Sequence, residues 1–134
     1  MTWCTIRMEL ARNRDFPEGS PRHGYLLHAP LDRNGRLDLG EFEAGRNRAS
    51  VEEFWGDADP KRGRLVHRSR NLWSFSFGAD DEEPIFHFGD HRFLPGEYLT
   101  VRDLSGKDLT FRVMTVTHAD GVHQSSERQV ARDR

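Results

Sequence analysis

Between Trp73 and Phe77 the chain reads Trp-Ser-Phe-Ser-Phe, large rings alternating with small hydroxyls. Successive side chains of a β-strand point to opposite faces, so this stretch puts three rings on one face and two serines on the other. Two serines cannot build a core, so the rings of Trp73, Phe75 and Phe77 must point inward. The N-terminus repeats the pattern: Cys4, Ile6, Met8 and Leu10 share one parity while Thr5, Arg7 and Glu9 take the other. Both segments call for a sheet with one buried face, which any fold of this chain has to supply.

The remaining elements fit that demand. Residues 23–29 read as a second strand, ended by Pro30 and the turn-forming Asp32-Arg33-Asn34-Gly35. Residues 51–55 make another, and 64–69 with 72–77 form a hairpin around Arg70-Asn71. A brief strand at 85–88 precedes a second hairpin, 97–103 with 109–117, turning at Ser105-Gly106-Lys107. One helix is expected over 39–48. Asp38 caps it and Glu41, three residues on, completes a capping box. Gly40 and Gly45 weaken it, so Leu39, Phe42 and Ala49 must hold it to the core. The fold class is therefore mainly β (α+β), a small barrel-like curled antiparallel sheet of seven to eight strands with one short helix, because closure removes exposed strand edges. A length of 134 residues suits one domain. That domain is expected over 1–118, with 119–134 too poor in apolar residues to be ordered.

Composition narrows the partners. A formal charge of −2 gives no global pull towards nucleic acid or anionic lipid. Of the 20 basic residues only Lys61 and Lys107 are lysine. Arginine forks suit carboxylate and phosphate, but a coding bias is the preferred account of the excess. Cys4 is the only cysteine, so no internal disulfide or thiolate cluster can form, and its place in an alternating strand makes it a buried, inert thiol. No apolar run is long enough to span a membrane and residues 1–12 do not read as a signal peptide, so no membrane partner is expected and the cytoplasm is the expected compartment.

Three clusters bear on function. His87-Phe88-Gly89-Asp90-His91-Arg92 gathers two imidazoles, a carboxylate and a guanidinium, with His67 as a neighbour to be tested. In an extended chain His87 and His91 would stand about 13 Å apart, but a turn at Gly89-Asp90 would bring them together. His67, His87, Asp90, His91 and Arg92 are thus the candidate ligand-binding residues, suited to an anion. His87, His91 and His67 are the candidate metal ligands. The stretch 61–70 holds five basic residues and no acid, and runs into the aromatic strand. Basic strands beside exposed rings hold single-stranded nucleic acid, but here the rings are needed inside, so nucleic acid is not the expected partner. The acids Asp80, Asp81, Glu82 and Glu83 are read as loop charge, since adjacent exposed carboxylates have no cause for split pKa values.

Residues 30–41 resemble a calcium EF-hand loop, with Gly35 at the sharp turn and Asp32, Asn34 and Glu41 at ligand positions. Pro30, however, stands where the first carboxylate belongs, and a strand rather than a helix leads in. Pro95-Gly96-Glu97-Tyr98 resembles the flavin-domain strand of ferredoxin-reductase-like proteins, without the accompanying elements of that family. More of the chain carries a third likeness. Tyr25, Ala29-Pro30-Leu31-Asp32, Gly35, Leu37-Asp38, Phe54-Trp55, Gly63, Leu65-Val66-His67, Trp73, Phe75, Gly89-Asp90-His91, Phe93 and Pro95-Gly96-Glu97-Tyr98 together resemble a group of small, uncharacterised bacterial proteins. That resemblance implies a bacterial cytosolic protein and no particular activity.

The expected function is non-enzymatic: a binding module for a protein or a small anionic ligand. Two alternatives stand beside it. One is a small metal-dependent enzyme using the His/Asp cluster, the other single-stranded nucleic-acid binding through Arg62, Arg64, Arg68 and Arg70. No cofactor is expected outside the metal alternative, and the oligomeric state is left open.

Overall fold

The computed structural model describes residues 2–45, 48–78, 81–85, 87–103 and 105–118; the expected disordered tail at 119–134 lies outside them. Eight strands form one closed antiparallel barrel in chain order. They are β1 (Thr2–Leu10), β2 (Ser20–Leu31), β3 (Ser50–Trp55), β4 (Lys61–Ser69), β5 (Leu72–Ser76), β6 (Glu82–Ile85), β7 (Tyr98–Arg102) and β8 (Asp108–His118). Each strand pairs with its sequence neighbours, and β8 returns to β1, with Cys4 opposite His118 and Leu10 opposite Phe111. The expected mainly-β barrel with one short helix is the observed fold. Among the described residues no helix is long and apolar enough to cross a membrane.

Parity decides what fills the barrel. Cys4, Ile6, Met8 and Leu10 on β1, Tyr25, Leu27 and Ala29 on β2, and Trp73 and Phe75 on β5 are all buried. Leu99, Val101, Phe111 and Val113 close the far wall. Phe77 falls just past the end of β5 and packs against this core while only partly buried. Ser74, on the outward parity, is also buried, in register with Val66 on one side and Pro84 on the other.

The helix α1 (Leu39–Ala44) is shorter than the expected 39–48. Asp38 caps it as anticipated, its side chain accepting from the amide of Glu41 at 3.0 Å. Gly45 ends it by donating to the carbonyls of Glu41 and Phe42. Phe42 faces inward and meets Trp73 edge-on at 4.9 Å, continuing through Phe88 to Phe93 as a plug of rings at this end. Leu39, expected in the core, is 43% exposed. One turn and a half of helix has room for only one inward anchor, and Phe42 takes it. Trp3, on the outer parity of β1, ties the helix to the wall. Its indole N–H donates to Glu41, and its ring stacks on His28 beneath the Arg48 guanidinium.

Two glycines separate steric need from mere tolerance. A Cβ on Gly24 would lie 2.0 Å from the carbonyl oxygen of Met8, which backbone pairing prevents from moving away. A Cβ on Gly40 would meet nothing closer than Asp38 Oδ1 at 3.7 Å. Gly24→Ala is therefore expected to lower unfolding free energy by about 1–3 kcal/mol. Gly40→Ala should raise it by about 0.5–1 kcal/mol through helix propensity. Urea denaturation of the two variants checks both signs.

Candidate functional site

The residues singled out in the sequence lie around the turn between β4 and β5 and the 3-10 helix Phe88–Asp90 that packs beside it. His67 stacks on Trp73 at 4.3 Å and its Nε2 pairs with the carbonyl oxygen of Arg70. Asn71 donates from its side chain to Asp90 Oδ2 at 3.0 Å, and its carbonyl accepts from the Phe88 amide. His87 Nδ1 stands 4.0 Å from Asp90 Oδ2, both side chains largely exposed. Arg92 donates to the Asn34 carbonyl, next to the Phe93 amide bonding to Gly35. The structure thus joins His87 to Asp90, but His67 and Arg92 serve separate loop contacts. His91 lies beside Phe93 with ring centroids 6.4 Å apart. Among the described residues no three His, Cys, Asp or Glu side chains gather to hold a metal ion.

The calcium-like loop has a local explanation. Asp32 Oδ1 accepts from the amides of Asn34 and Arg36, so the carboxylate stabilises its own turn. Cys4 is buried as expected, with its sulfur 3.6 Å from His118 Nδ1.

The basic strand is largely paired with acids. Lys61 lies 3.6 Å from both Glu53 and Asp81, Arg68 bonds Glu82, and Arg62 stands 4.0 Å from Glu52. Strand pairing explains these partners, since Lys61 sits opposite Glu53 and Arg62 opposite Glu52 in the antiparallel register of β3 and β4.

Two features were not legible as sites. The first is a groove of about 370 Å³ on the outer wall of β1 to β4. Thr5, His28 and Ser50 form one row across it, and Leu26, Glu52 and Arg62 the next. Leu27 and Val51 turn their side chains inward and Gly63 has none, so these three contribute backbone to the floor. Burial and the nearby Arg48 charge hold the His28 imidazole below its ordinary pKa, so His28 is neutral at physiological pH.

The second is a polar cluster inside the barrel, and it overturns the reading of Glu83 as loop charge. Glu83 is only 3% exposed because it lies on the inward parity of β6, opposite Phe75. Its carboxylate accepts from the hydroxyl of Tyr25, itself buried on β2. Glu53 lies opposite Tyr25 on β3, and Lys61 opposite Glu53 on β4. Burial pushes Glu83 up to about 7; the Tyr25 hydroxyl and Lys61 work against that rise, while Glu53 and Asp81 add to it. Burial, followed by the Glu83 charge, holds Tyr25 well above the usual phenol range. The signal available in sequence was Glu83-Pro84-Ile85 with Glu83 and Ile85 on one parity, obscured by the acidic run before it.

Linkage fixes the sign of the consequence. A carboxyl that titrates near 4.5 when unfolded and about 7 when folded binds its proton more tightly in the native state. Its contribution to stability is complete below about pH 4.5 and is lost as pH rises towards 7. Unfolding free energy should accordingly fall across that window by an amount on the order of a few kcal/mol. In Glu83→Gln the fall should flatten, which urea melts at several pH values would register.

Compared with protein-family models, curated proteins and solved structures, the chain matches none.

Proposed function

We propose that this chain is a non-enzymatic binding module of the bacterial cytosol and that the outer-wall groove holds a small anionic ligand. One observation carries the reading. On a barrel wall that would otherwise be convex, a concavity of about 370 Å³ is lined by Arg62, whose side chain is 85% exposed, together with Thr5, His28 and Ser50. That volume lies in the range of small-molecule sites, where a few polar groups on an apolar floor fix orientation. At 4.0 Å the Arg62–Glu52 pair is loose enough for an incoming carboxylate or phosphate to compete for the guanidinium fork. Arg48, close enough to lower the His28 pKa, adds positive potential at the same end. The rim around His67, His87, Asp90, His91 and Arg92 is the less favoured location. There Asp90 and Arg92 already hold loops together through Asn71 and Asn34. The bacterial and cytosolic parts of the proposal rest on the resemblance above and on the single, buried cysteine.

A bound anion should raise the pKa of a neighbouring imidazole, because opposite charge favours the protonated form. Titration of the full chain with inorganic phosphate and with citrate, followed by NMR of the His28 ring, should move the His28 midpoint to higher pH. Arg62→Ala should weaken that response on the order of ten-fold, as expected for losing a charge-assisted hydrogen bond. Ser50→Phe, which fills the groove, should abolish it. A His28 midpoint indifferent to both anions at millimolar concentration would sink the reading, as would a response unchanged in the two variants.

A further inference from the structure

The barrel is not equally strong all the way round. β6 is four residues long, and all four stand in register with β5. Towards β7 the described residues supply one registered pair, Ile85 with Val101. The next seam, β7 with β8, is in register from Tyr98 to Arg102. Pro84 at the centre of β6 has no N–H to donate to either neighbour. Local opening follows the density of buried contacts and ladder hydrogen bonds, and among the described residues the β6–β7 seam has the fewest ladder pairs.

Glu83 sits on that strand and points into the closed interior. The groups that face it are Tyr25 from β2, Glu53 from β3, Lys61 from β4 and Asp81 from the approach to β6. β1, β5, β7 and β8 present apolar side chains, among them Met8, Phe75, Val101 and Phe111. The Tyr25 hydroxyl donates to Glu83 and so favours the ionised carboxyl, but burial outweighs it and favours the protonated one. An ionised one faces two further carboxylates, and the single ammonium nearby is already shared between Glu53 and Asp81 at 3.6 Å each. A buried charge so placed is relieved most cheaply by moving to water.

We propose that Glu83 is a proton-operated latch on the barrel: protonated, it keeps β6 closed against β7, and ionised, it carries β6 outward and opens the wall at that seam. Burial and the Glu53 charge push the Glu83 carboxyl up to about 7, which places the transition among pH values a cytosol visits. Opening exposes the ring-lined interior around Tyr25, Phe75 and Phe111, whose centroids lie within 4.9 Å of one another along the chain of contacts through Tyr25. The latch is separate from the outer groove and does not depend on it.

Amide hydrogen exchange on the full chain, at roughly pH 6 and roughly pH 8 and corrected for the intrinsic pH dependence of exchange, tests the latch on both sides of about 7. Protection of β6 and β7 should fall with rising pH by about ten-fold more than protection of β1 and β2. Glu83→Gln should hold the seam's protection constant across the two conditions. Glu53→Gln, which removes a like charge but leaves the latch residue in place, should move the midpoint of opening to lower pH. A loss of protection spread evenly over all strands overturns the proposal. So does a seam whose response is the same in Glu83→Gln, or, if that variant does not fold, a midpoint that Glu53→Gln leaves where it was.

Discussion

Every feature of this structure depends on the pairing of β8 with β1. Up-and-down sheets leave two edges whose amides and carbonyls need partners, and the return of β8 alongside β1 removes both at once. Closure also creates an inside, and the alternation of each strand then has a single volume to fill. Cys4, Ile6 and Met8 can be completely enclosed on a short N-terminal strand only because Phe111, Val113 and Val116 arrive on the other flank. Register between these strands shifts between Arg7 and Met8, a bulge of the kind that lets a small barrel curl tightly enough to close.

The two ends of this volume are finished in different ways. At one end the chain leaves β2 through the tight Asp32–Arg36 turn, forms α1 and drops Phe42 onto Trp73, so aromatic packing seals it. Towards the other, Tyr25, Glu53 and Glu83 replace apolar side chains at inward positions, with the exposed Lys61 paired to Glu53. A barrel of this size gains nothing in stability from a carboxyl that must be kept protonated, because an apolar residue of similar volume would avoid the desolvation cost. Perturbed carboxyls of this kind are characteristic of working positions, and here the perturbation coincides with the seam that has the fewest pairs among the described residues.

The outer wall follows a different logic. Several of its arginines, Arg7, Arg62, Arg68 and Arg102 among them, have a carboxylate within 4.0 Å, and Arg7 also lies over Phe54 as Arg48 does over Trp3. Most of this is the ordinary dressing of a solvated sheet, worth little pair by pair. The groove differs because Ser50 is too small to fill the surface between Leu26, His28 and Arg62, which leaves a hollow edged by polar groups.

Local sequence was sufficient for the parity of the strands, the placement of the hairpin turns and the capping of α1, because these follow from neighbours one to four residues apart. The inward face of Trp73 and Phe75 and the burial of Cys4 were legible for that reason. Helix length was not, since Gly45 can end a helix or sit within one, and in the structure it is the C-cap. Nor were the sites. Glu83 read as solvent charge until β6 was placed opposite Phe75 and Tyr25, 58 residues away in the chain, reached it through the interior. The groove joins residues from four strands that share no local pattern. Burial of a charge and concavity of a surface are properties of what surrounds a residue, and in a closed barrel the surroundings come from distant parts of the chain.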